Sequence, residues 1–181
     1  MSKFIKLSGI VLKKTPYFEK DCLIELLTEK EGKKKLIAKY AFSKSFKFGG
    51  LIEPTNNINC ELYQGKTFLI LNQCTLKKNY PHLHTHFNTL SLAFYCINII
   101  RHCTPFDLPI PQLYHLLTQT LTKLSPDSLW NLKNNFQKTV LTHEGLLKTN
   151  NPLNDQQFIQ LFYDYTNVKL KNPLFLTSER Q

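Results

Sequence analysis

The sequence predicts an α+β chain: five short strands forming a small barrel or sandwich, followed by an all-helical domain. Between Lys3 and Lys78 apolar residues recur in short β-rich stretches bounded by turn signals. From Pro81 onward the apolar spacing changes to steps of three and four. With 181 residues, 42% hydrophobic and 12% aromatic, both parts have enough apolar material for a packed core. The change of period divides the chain into domains at 1–80 and 81–181.

The strands are expected at Lys3–Lys14, Cys22–Thr28, Lys34–Tyr40, Ile52–Tyr63 and Thr67–Lys77. The fourth shows the clearest alternation, with Ile58, Cys60 and Leu62 set against Asn57, Asn59 and Glu61, and Pro54 near its start. Glu29-Lys30-Glu31-Gly32 and Gln64-Gly65-Lys66 mark the turns between strands two and three and between strands four and five. The long connection Ala41–Gly50 mixes aromatics, lysines and a Gly pair, the composition of a binding loop. Helices follow from about Leu83 to Cys103, from Pro109-Ile110-Pro111 through Leu124, and from an N-cap at Ser125 with Pro126 in the first turn. After a polar connection, Thr149–Asn154, a last helix carries Phe158, Leu161, Phe162 and Tyr165.

The formal charge of +10 is concentrated in the first domain, where 15 lysines face 7 carboxylates; residues 81–181 hold 8 basic against 6 acidic residues. A field of that kind faces phosphate, in nucleic acid or at an anionic membrane. No apolar run is long enough to span a bilayer and Met1–Leu12 has no secretory pattern, so a cytoplasmic protein without membrane attachment is expected. Cys22, Cys60, Cys74, Cys96 and Cys103 have no Cys-x-x-Cys spacing and read as reduced core residues.

Catalytic patterns are incomplete. Gly65-Lys66-Thr67 resembles the end of a phosphate-binding loop, but Cys60 stands where its first Gly belongs and the tripeptide lies between strands. His82, His84 and His86 have no acidic or Cys ligand near them, and His143-Glu144 has no second His at metal-protease spacing. No catalytic residue, metal or cofactor is expected. The candidate site is instead a nucleic-acid-binding set: Lys13, Lys14, Lys33, Lys34, Lys35, Lys39, Lys44, Lys47 and Lys66. Tyr17, Phe18, Tyr40, Phe42, Phe46 and Phe48 are interleaved with them. Cations along a groove neutralise a backbone while aromatic rings offer any base a stacking face.

Phe48-Gly49-Gly50-Leu51-Ile52-Glu53-Pro54 resembles the Phe-Gly-Gly-x-Leu-Glu-Pro stretch of the RecO family of recombination mediators. Gly9–Lys13, Leu26–Glu29, Gly32-Lys33, Tyr63–Gly65 and Phe136–Gly145 are similar to that family as well. The resemblance implies an OB-type barrel that binds single- and double-stranded DNA and anneals complementary strands. It also implies a RecR-like partner and help for a RecA-like recombinase in replacing single-strand binding protein during repair. An OB barrel offers the face of strands two and three and the loops after strands one and four. Two departures stand out: Tyr40-Ala41-Phe42-Ser43 replaces a Gly and arginines usual in the family, and Leu146–Leu153 lacks the four-cysteine zinc module of some members. The residues alone also allow an RNA-binding OB protein or a protein-interaction adaptor.

Overall fold

The structure, a computed structural model, describes residues 4–44, 46–147, 154–171 and 173. Two compact units emerge, one of residues 1–80 with 104–114 and one of 81–103 with 115–181.

The first unit is a closed barrel of β1 (Ile5–Tyr17), β2 (Asp21–Thr28), β3 (Gly32–Ala38), β4 (Asn57–Gln64) and β5 (Leu69–Lys78). Its order is β1-β2-β3-β5-β4, with β1 returning to β4 and a short parallel pairing of β3 to β5 at Leu36–Leu69 and Ile37–Ile70. This is the OB-type arrangement. β1 serves two neighbours, β4 with its first half and β2 with its second. Gly9 lies where the two pairings meet, and a Cβ there would stand 2.3 Å from the Leu27 carbonyl oxygen. A bulge between Val11 and Lys13 bends the strand further, the device by which a sheet curls shut. Inside are Val11, Ile24, Leu26, Leu36, Ile58 and Leu62, together with Cys22, Cys60 and Cys74.

Several strand boundaries differ from expectation. β4 begins at Asn57 rather than Ile52: Ile52 is in the core, but Pro54 has no N–H for a ladder and Thr55 adopts φ 83°. Instead Thr55 N–H donates to the Val11 carbonyl and Val11 N–H to Asn56. β3 ends at Ala38 because Tyr40 takes φ 56°, and it starts at Gly32, whose φ of 73° favours glycine. β1 runs on to Tyr17. The expected start at Lys3 lies outside the described residues.

The second unit is helical. A 3₁₀ turn, Pro81–His84, precedes α1 (Phe87–Cys103), so the expected continuous helix from Leu83 is broken; Thr85 Oγ1 donates to the His82 carbonyl at 2.8 Å and closes the turn. α2 is Pro111–Lys123, and α3 (Leu129–His143) follows a 3₁₀ turn, Pro126–Ser128, with Ser125 at its cap. His143 is the last residue of α3 and Glu144 its C-cap, and Glu144 accepts from the Tyr165 hydroxyl. α4 (Asp155–Thr166) is capped by Asn154, which accepts from Gln157 N–H at 2.9 Å. The connection expected at Thr149–Asn154 lies outside the described residues up to residue 153. Lys133 on α3 is fully buried, paired with Asp155 and set 4.1 Å from the Trp130 ring centroid. Removing that carboxylate would leave a buried ammonium unpaired, a loss of about 3 kcal/mol.

All five cysteines are buried. Burial pushes the Cys22 thiol up to about 11 and raises Cys96 as well, so both stay protonated and unreactive near neutral pH. Among the described residues no helix is long and apolar enough to cross a membrane.

Candidate nucleic-acid interface

The nine candidate lysines do not share one environment. On the outer face of β1, β2 and β3, Lys13 and Lys35 stand in register on either side of Glu25. Directly opposed residues in an antiparallel ladder point to the same side, so this row alternates cation, carboxylate, cation. Glu25 is itself nearly buried.

Lys33, Lys34 and Lys35, the densest basic run in the sequence, meet a segment that returns from residue 104. Phe106 bridges to Lys33 in parallel, and Asp107 N–H donates to the Lys33 carbonyl at 3.0 Å. The ring of Phe106 takes two ammonium groups, Lys33 at 4.4 Å and Lys35 at 4.5 Å from its centroid. Lys33 is only 5% exposed. Lys34 reaches Asp107 Oδ1 at 2.9 Å and Glu31 Oε2 at 3.8 Å. Gly32 permits this approach, since a Cβ would stand 2.5 Å from the Leu108 backbone. Nothing local in the sequence announces the contact, which joins positions 73 residues apart for the Lys34–Asp107 bond. A groove of about 660 Å³ opens beside it, lined by Lys6, Lys34, Lys35, Phe68 and Phe106 among others. Lys6 is exposed and was absent from the expected set.

Lys14 is held by Glu53 Oε1 at 2.6 Å and lies 5.7 Å from the Phe42 ring centroid. The carboxylate of the Gly-Gly-x-x-Glu-Pro stretch therefore clamps a lysine of β1. Lys39, Lys44 and Lys47 are exposed in the β3–β4 loop, and Lys66 is exposed in the β4–β5 turn. That turn joins two strands, so Gly65-Lys66-Thr67 opens no helix; Gly65 N–H donates across the turn to Phe68. Lys20, also exposed and also missed, ends the β1–β2 turn, where its carbonyl accepts from Phe42 N–H at 3.1 Å. Of the interleaved aromatics, Phe46 and Phe48 pack on the barrel core, whereas Phe18, Tyr40 and Phe42 are exposed.

His82 Nε2 lies 3.0 Å from the Leu121 carbonyl oxygen, and His84 and His86 face solvent. Among the described residues no three His, Cys, Asp or Glu side chains gather as a metal site would need.

Residues 1–80 match the family model for the recombination protein O N-terminal domain. The barrel is thus similar to RecO N-terminal domains. The chain is 29% identical over 116 residues to the DNA repair protein RecO of Geobacter metallireducens, covering 64% of this chain and 48% of that protein. It is 28% identical over 145 residues to the RecO of Alkaliphilus metalliredigens, covering 78% of this chain and 58% of that one. The chain thus spans about half the length of the RecO relatives it matches. Among solved structures, an OBody bound to hen egg-white lysozyme matches 42% of this chain with a TM-score of 0.35 and 5% identity, too little to carry weight. The OB-type assignment rests on the strand order and on the RecO match.

Proposed function

We propose that this chain is a DNA-binding recombination mediator in DNA repair, acting by holding strands rather than by covalent chemistry. The observation that carries the proposal is the RecO N-terminal match on residues 1–80, which hold 15 of the chain's lysines. The contact surface centres on the exposed loop lysines Lys39, Lys44 and Lys47 with Lys20, and the exposed Lys6, Lys13 and Lys66 extend it. Lys14, Lys33, Lys34 and Lys35 contribute mainly by setting the local field, because each already has a partner. Both single- and double-stranded DNA present the phosphates these groups need.

Cations that hold two strands at once lower their mutual repulsion while the bases search for register, so complementary strands anneal without ATP. A RecR-like protein, single-strand binding protein and a RecA-like recombinase are the partners this role implies. Equilibrium binding of single-stranded DNA, duplex and RNA at two salt concentrations tests the proposal. Affinity for single strands should fall steeply with salt, by about 0.7 in the log–log slope for each phosphate neutralised. Tighter binding to RNA of equal length would replace DNA as the ligand. Capture of an acidic protein that competitor polynucleotide fails to displace would make the barrel an adaptor.

A further inference from the structure

We propose that Phe18, Tyr40 and Phe42 form a stacking platform for unpaired bases, giving the barrel a preference for single strands over duplex. The inference rests on the DNA-binding reading and adds to it where the bases go.

These rings are 79%, 61% and 51% exposed, where the β1–β2 turn meets the β3–β4 loop. Phe18 and Tyr40 hold backbone angles of φ 54° and 56°. That region is sparsely populated by bulky residues, and glycine, asparagine or aspartate is the ordinary occupant of such turns. The strained backbone is tied down. Tyr40 N–H donates to Asp21 Oδ1 at 2.8 Å, Phe42 N–H to the Lys20 carbonyl at 3.1 Å, and both Ser43 N–H and its hydroxyl to the Tyr40 carbonyl. The β1–β2 turn and the β3–β4 loop are therefore fastened together, with three rings directed to solvent. Tyr17 supports Phe18 edge-on at 4.5 Å and meets Phe68 of the β4–β5 turn at 5.9 Å.

Charge decides the occupant. Lys20, Lys39 and Lys44 are exposed and alternate along the chain with the rings, in Phe18-Glu19-Lys20 and Lys39-Tyr40-Ala41-Phe42-Ser43-Lys44. Of the nearby carboxylates, Asp21 is engaged by the Tyr40 backbone and Glu53 by Lys14, which leaves Glu19 facing solvent. Rings for bases with cations for the phosphates between them match a single strand; in a duplex the base faces are already stacked. Because these hydrogen bonds already hold the backbone at Tyr40, Phe42 and Ser43, little freedom is lost there on binding.

The test uses the full chain with Phe18→Gly and Tyr40→Gly combined. Glycine suits the positive φ, so a thermal melt no lower than wild type shows that the fold is intact. Affinity is then measured for a mixed-sequence single strand, an abasic strand of equal length, and a duplex. The double variant should bind the intact strand roughly tenfold or more weakly, the loss expected from removing base stacking. It should bind the abasic strand and the duplex as wild type does, with an unchanged salt slope. Equal affinity of variant and wild type for the intact strand overturns the platform, as does an equal loss on intact and abasic strands. A platform bound instead by a protein would show the first of these results. If wild type binds no DNA at low salt, the DNA-binding reading itself fails, a result distinguishable from failure of the platform alone. A lowered melt shifts the test to Phe42→Ser, at a position without positive φ, judged by the same three affinities.

Discussion

The lysines at the start of β3 and those in the loops beyond its end differ in what surrounds them. Lys33, Lys34 and Lys35 are consecutive, yet Phe106 and Asp107 cover two of the ammonium groups and pair the third. Lys39, Lys44 and Lys47 are scattered among aromatics, and all three are exposed. Charge density along a sequence thus measures neither accessibility nor the fraction of charge left for a ligand. A returning segment of the same chain has occupied the denser cluster, and the sparser one is left facing solvent.

The largest effect should come from the contact that separates the two regions. Gly32→Ala places a Cβ 2.5 Å from the Leu108 backbone at a positive φ, and should destabilise the barrel by about 3 kcal/mol in denaturant unfolding. A loss within the scatter of surface substitutions would mean that residues 104–108 do not ride on β3. Next, Lys39, Lys44 and Lys47 changed together to Ala should weaken single-strand binding more than tenfold at low salt and flatten the log–log salt slope by up to ~2. Lys33→Met with Lys34→Met, which keeps the apolar stems packed, should change that slope by less than ~0.7. Equal slopes for the two variants would erase the contrast.

Asp107→Asn sharpens it from the other side. Releasing Lys34 where the strand does not lie should change DNA affinity by less than about twofold at low salt. A rise of tenfold or more in titrations at low salt would show that the strand reaches Lys34. The smallest effect belongs to Glu53→Gln, which removes a partly exposed ion pair with Lys14 and should lower stability by no more than about 1 kcal/mol. A shift in the unfolding midpoint several times larger would give the motif carboxylate a role beyond that pair.

Much of this fold is readable from local chemistry. Strand periodicity around Ile58, Cys60 and Leu62, the Gly65 turn and the Ser125-Pro126 helix start all act over a few residues, and the barrel and helices follow them. What escapes is set by partners distant in sequence or by strain. Ile52 carries a strand-like apolar signal and is buried, but Pro54 and Thr55 keep it out of the ladder. Tyr40 has a strand-forming side chain in a turn conformation, fastened by Asp21 at the start of β2. For the site, exposure of Lys39, Lys44, Lys47 and Lys66 agrees with their loop positions. The covering of Lys33 by Phe106 could not be inferred from any neighbouring residue, because it depends on where the chain returns after α1.

The central claim is that a strand lies against the β1–β2 turn and the β3–β4 loop rather than against the lysine run at the start of β3. Lysine acetylation read by mass spectrometry, with and without saturating single-stranded DNA at low salt, tests it most directly. Protection is predicted at Lys20, Lys39, Lys44 and Lys47, with the rate at Lys34 unchanged. Protection of Lys34 and Lys35 while the loop lysines react at the same rate bound and free would contradict it.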